Sequence, residues 1–99
     1  MNILDTVDHI AIQVSNIEKS LMWYIAKFNC KVIYSDDTWA LIKFNNINIA
    51  LVNKKQHPPH FAILNENITL KNGATVHRDG SISKYINDID SNFIELIKY

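Results

Sequence analysis

The order His, bulky apolar residue, Ala, Ile occurs twice in the chain. It appears first in His9-Ile10-Ala11-Ile12 and again in His60-Phe61-Ala62-Ile63. In extended backbone successive side chains point to opposite faces, so each copy puts its His and Ala on one face and its bulky residues on the other. The second copy follows His57-Pro58-Pro59, and the two prolines deny a helix and favour extended backbone there. A unit repeated in this way cannot bury its own apolar face alone. The repeat therefore calls for two related halves packed together, with the two histidines at matching places.

The pattern around each copy extends the repeat. Residues 6–14 alternate Ile10, Ile12 and Val14 with His9, Ala11 and Gln13, as a strand with two unlike faces does. Ser15-Asn16-Ile17-Glu18 has the form of a capping box and predicts a helix start. Ile17, Leu21, Ile25 and Phe28 predict an apolar stripe along that helix, ending near Asn29. Strands are expected over 31–36, 38–44 and 47–52, parted by turns at Asp36-Asp37 and Asn45-Asn46. After His60 a short, poorly patterned helical piece is expected over about 65–71. Short strands follow over 75–77, 81–87 and 92–98, with turns at Asn72-Gly73, Arg78-Asp79-Gly80 and 88–91. Both halves then read strand, helix, strand, strand, strand. The fold expected is α+β, one domain over residues 1–99, with modules at about 6–53 and 58–99.

The totals restrict what such a domain does. Formal net charge is zero and no basic run is present, which argues against a nucleic-acid binder. Cys30 is the one cysteine, so no internal disulfide forms, as expected of a reduced cytoplasmic protein. No apolar stretch is long enough to cross a bilayer as a helix, and residues 1–8 do not read as a leader, so no membrane partner is expected.

Aligning the last strand of each half sets Ile47-Asn48-Ile49-Ala50-Leu51-Val52 on Asn92-Phe93-Ile94-Glu95-Leu96-Ile97, which matches Ala50 with Glu95. Alternation then assigns His9, Ala11, Gln13, His60, Ala62, Ala50 and Glu95 to one concave face. Two imidazoles and a carboxylate suit a divalent transition metal, Fe, Mn, Zn or Ni, with coordination positions left for water or substrate. A lone strand His is more commonly a hydrogen-bonded structural residue. Glu95 is less ordinary, because a carboxylate among Phe93, Ile94, Leu96 and Ile97 is costly to bury alone. Gln13, Trp39, Ala50 and Arg78 are candidates to line a substrate pocket, and His77 and Tyr85 are the acid–base candidates.

These residues also carry a resemblance. Asp8-His9-Ile10-Ala11 with the helix start at Ser15, and Asp88-Ile89-Asp90-Ser91-Asn92-Phe93-Ile94-Glu95, resemble the opening and closing motifs of the vicinal oxygen chelate superfamily. That superfamily contains glyoxalases, extradiol dioxygenases and bleomycin-resistance proteins. The resemblance implies paired βαβββ modules in a curved, cup-shaped mixed sheet, with His9, His60 and Glu95 as metal ligands, usually in a homodimer. It further implies a small metal-dependent lyase, isomerase or dioxygenase whose ion chelates two adjacent oxygens of a small-molecule substrate. The alternative is a metal-free binding protein of the bleomycin-resistance type. Ile89 and Ser91 stand where the motif has Pro and Gly, so a looser last turn is expected. Ala50 stands where glyoxalases have a fourth ligand, and the second helix is short.

Overall fold

In a computed structural model, residues 3–99 are described; Met1 and Asn2, within the stretch read as lacking a leader, lie outside them. The strands are β1 (Val7–Val14), β2 (Lys31–Ser35), β3 (Trp39–Lys43), β4 (Asn48–Asn53), β5 (His60–Leu64), β6 (Thr75–Val76), β7 (Ile82–Asn87) and β8 (Phe93–Lys98). They form a mixed sheet, accompanied by one helix, α1 (Ile17–Lys27), and a single 3₁₀ turn at Leu70–Asn72. The chain divides into two compact units, His9–Pro59 and His60–Tyr99 with the residues up to Asp8. Among the described residues no helix is long and apolar enough to cross a membrane.

In the His9–Pro59 unit the strand order is β2-β3-β4-β1. β1 and β4 are parallel, with His9 opposite Asn48 and Ala11 opposite Ala50. Parallel neighbours need a crossover, and α1 with the β2–β3 hairpin supplies it. Asn16 caps the helix, one residue later than the capping-box reading, by accepting a hydrogen bond from the Lys19 backbone N–H at 2.9 Å. The inward stripe is Ile17, Leu21 and Tyr24, packed on Ala40, Ile42 and Leu51. Ile25 is instead half exposed. At about 100° per residue Tyr24 returns to within roughly 20° of Ile17, whereas Ile25 lies about 80° away. Phe28, also expected in the stripe, ends the helix half exposed against Phe44. Ile12 and Val14 lie under the helix as expected, but Ile10 stays 39% exposed. On the sheet's other face Ala11, Ala50 and Val52 are buried against Trp39 and Leu41.

In the other unit the order is β5-β8-β7-β6. β5 and β8 repeat the parallel pairing, with His60 opposite Phe93 and Ala62 opposite Glu95. The chain before β1 lies against β5, where the Leu64 N–H donates to the Thr6 carbonyl at 3.0 Å. The helix expected over 65–71 is absent, and only the 3₁₀ turn forms. Asn65, Asn67, Thr69 and Asn72 are poor helix formers. Asn65 Oδ1 accepts from the Asn67 N–H at 2.8 Å, a local bond that competes with a helical one. Ile68, 3% exposed, anchors the segment, and Gly73 ends the turn at φ +92°. The strand expected over 75–77 ends at Val76, leaving His77 in the turn before β7.

The turn at 88–92, expected to be loose, is tightly built. Asp88 Oδ1 accepts from the backbone N–H groups of Asp90 and Asn92, each at 2.9 Å, and Oδ2 accepts from the Asn92 side chain. Ser91 takes the left-handed conformation, φ 67°, that glycine fills in the motif.

Candidate metal centre

The strand registers place the candidate donors. In the His60–Tyr99 unit, β8 lies between β5 and β7, so Glu95 is flanked by Ala62 on one side and Tyr85 on the other. Ala62 is small and fully buried. His60 precedes Ala62 by two residues and shares its face; its Nε2 is 3.4 Å from Glu95 Oε1. Both residues are buried, at 8% and 6% exposure. On the His9–Pro59 side His9 is buried two residues before Ala11, the matching position of that unit. His9, His60 and Glu95 each offer one ligand-type atom, and these atoms all lie within 4.8 Å of one another. Two imidazoles and one carboxylate, all withdrawn from solvent, are a donor set that suits a divalent transition ion.

Tyr85 reaches into the same group. Its hydroxyl is 3.4 Å from His60 Nε2 and 3.5 Å from Nδ1, and the rings meet edge to face with centroids 5.0 Å apart. Burial, and then the Glu95 charge, push the phenol well above its ordinary range. That direction favours the neutral O–H form of Tyr85, a hydrogen-bond donor toward His60.

His77 stands on the other side of the carboxylate, its Nε2 3.9 Å from Glu95 Oε2 and hydrogen-bonded to Ser83 Oγ at 2.6 Å. Ser83, 3% exposed, was not among the sequence candidates. It lies two residues before Tyr85 on β7, so the same alternation points to it.

The pocket candidates are divided. Ala50 belongs to the buried Ala11–Ala50–Val52 cluster, and Trp39, partly buried, packs against it with Tyr34 stacked on its ring at 4.7 Å. Gln13 is exposed and donates from its side-chain amide to the His57 carbonyl at 2.8 Å. Arg78 is exposed in the turn after His77.

The sequence matches no protein-family model and no curated protein. Similarity is found among solved structures. A hypothetical protein from Bacillus halodurans superposes with a TM-score of 0.76 at 17% identity, covering 96% of this chain and 94% of that one. A glyoxalase/bleomycin resistance protein/dioxygenase superfamily member from Vibrio splendidus gives 0.68 at 9% identity, over 97% and 100% of the two chains. A hypothetical protein from Staphylococcus aureus gives 0.64 at 10% identity; this chain spans 34% of its length. At these identities the likeness is one of fold. The chain has the glyoxalase-like α+β fold.

Proposed function

We propose that the protein is a small metal-dependent enzyme of the glyoxalase/dioxygenase type. His9, His60 and Glu95 hold a divalent ion, and a small-molecule substrate meets it through two adjacent oxygens. The observation that carries this reading is the gathering of these three buried donors. The fold shared with the Vibrio splendidus superfamily member supports it. A bound divalent ion would supply Lewis-acid or redox chemistry there. The chain's own residues supply the remainder. Tyr85 offers a hydrogen bond at the His60 side of the group, and Trp39 and Ala50 are proposed as apolar substrate contacts. Gln13 and Arg78 are kept as polar substrate contacts. We place the enzyme in the cytoplasm and as a homodimer, which the exposed Met22, Trp23, Ile25 and Phe28 of α1 support.

A second reading is a metal-free protein that sequesters an apolar or aromatic small molecule. The stacked Tyr34–Trp39 pair beside the buried Ala11–Ala50–Val52 cluster favours it.

Elemental analysis of the unchelated protein beside His60→Ala and Glu95→Ala separates the two. Near-stoichiometric metal in the parent that drops in both variants is the expected result. A parent that holds no metal, and takes up no Zn, Mn, Ni or Fe(II) on addition, overturns the enzyme reading and leaves sequestration.

A further inference from the structure

We infer that His77, pinned by Ser83, is a positioning residue that presents its ring edge to one oxygen of Glu95 and so biases the carboxylate toward binding its ion through the other. The inference rests on the metal reading above and adds to it a fourth residue and a binding mode.

The turn before β7 is built around His77. Its N–H donates to the Ser81 carbonyl at 2.8 Å, and its carbonyl accepts from the Gly80 N–H at 3.0 Å. Gly80 sits at φ +85°, a conformation that suits glycine. Asp79 Oδ1 locks the far side by accepting from the Ser81 N–H at 2.9 Å and the Ser81 hydroxyl at 2.6 Å. Those bonds hold the Asp79 carboxyl below its usual range. Ser81 and Ser83 are both 3% exposed, so the serine ends of these bonds are fixed in the packed part of the unit. The imidazole is fixed a second time by the 2.6 Å bond to Ser83 Oγ. A surface turn needs none of this to reverse the chain. What the arrangement achieves is a fixed ring edge facing Glu95.

Glu95 divides its two oxygens. Oε1 faces His60 at 3.4 Å, and Oε2 faces His77 Nε2 at 3.9 Å. The second distance is outside hydrogen-bonding range but within electrostatic reach, and the His77 side chain is 35% exposed while that of Glu95 is 8% exposed. In the Nε2–H tautomer the ring donates to Ser83 and presents the same positive edge to Oε2. The geometry excludes another role for these residues. A serine–histidine–carboxylate relay needs serine and carboxylate on opposite ring nitrogens, and here both meet Nε2. His77 therefore acts through Glu95. Hydrogen-bonded partners of a ligating side chain are worth about 10–100-fold in metal affinity, and a partner at 3.9 Å belongs at the low end of that range.

The test titrates Co(II) into the parent, His77→Ala, His77→Gln and Ser83→Ala, with a competing chelator for affinity and the visible absorption band for coordination. Expected are a loss of about 10-fold in affinity for His77→Ala, a smaller loss for Ser83→Ala, and partial recovery in His77→Gln, which keeps an N–H donor. The band of His77→Ala should weaken as Glu95 becomes bidentate and the coordination number rises. A His77→Ala variant that matches the parent in affinity and band overturns the inference while leaving the metal reading intact. A parent that binds no Co(II) overturns both. If His77→Ala does not fold, Ser83→Ala decides: parent-like affinity and band in that variant likewise overturn the inference.

Discussion

The two halves share a strand plan and differ in what they bury. From His9 to Pro59 the buried hydrophobic residues are Ala11, Ile17, Ala40, Ile42, Ala50, Leu51 and Val52, with His9 the one buried polar group. From His60 onward they are Ala62, Ile68 and Ile97, beside four buried polar residues, His60, Ser81, Ser83 and Glu95. One half has a helix laid over its sheet, and the other has a 3₁₀ turn in its place. Apolar burial stabilises a domain, whereas a buried carboxylate or imidazole costs free energy unless its partners compensate. The first half thus holds most of the apolar core, and the second holds most of the buried polar groups.

Three measurements test that contrast. The largest effect is expected for Leu51→Ala, which empties a fully buried site under α1 and should cost about 2–5 kcal/mol in equilibrium denaturation. Ile89→Ala in the second half, at a side chain 99% exposed, should stay within about 0.5 kcal/mol. Equal losses in the two would refute the division of the core. Next comes Ser91→Gly, expected to stabilise the protein by up to about 1 kcal/mol. A non-glycine residue pays to sit at φ 67°, and glycine's greater freedom when unfolded takes back part of the gain. A destabilised variant would mean that the serine side chain, rather than the backbone conformation, matters at that turn.

The smallest effect concerns acid, where the halves should agree. The Tyr34 hydroxyl first, then the Thr38 side chain and backbone, hold Asp36 far below its ordinary 3.8. The Asn92 side chain and backbone, then the Asp90 N–H, lower Asp88. A carboxylate depressed in the folded state contributes stability that is complete above its unfolded value and is lost as pH falls below about 4. Asp36→Asn and Asp88→Asn should each flatten the acid limb of a stability–pH curve. A steep limb surviving in both would place the acid sensitivity elsewhere.

The strands and their facing were legible because period-two alternation is strong at β1, β4, β5 and β8, and His60 and Glu95 followed from it. The helix stripe was misread at Ile25, since both i+7 and i+8 positions carried large apolar residues and only packing chose Tyr24. The second helix failed because Asn side chains bonded their own backbone, a competition that apolar spacing does not register. The last turn looked loose for want of glycine, yet Asp88 supplies the bonds that close it. Ser83 was passed over because a serine on a strand carries no chemical signal until its neighbour His77 is in place.

The parallel pairing of β1 with β4 and of β5 with β8 has a consequence for how the molecule comes into being. In each half the outer strands meet only after everything between them has been made and arranged, so these long-range ladders close late. His9 lies on β1, His60 on β5 and Glu95 on β8, all strands whose parallel partners are distant in the chain. The three donors stand far apart in the sequence, so an unfolded chain offers an ion scattered ligands instead of a gathered set.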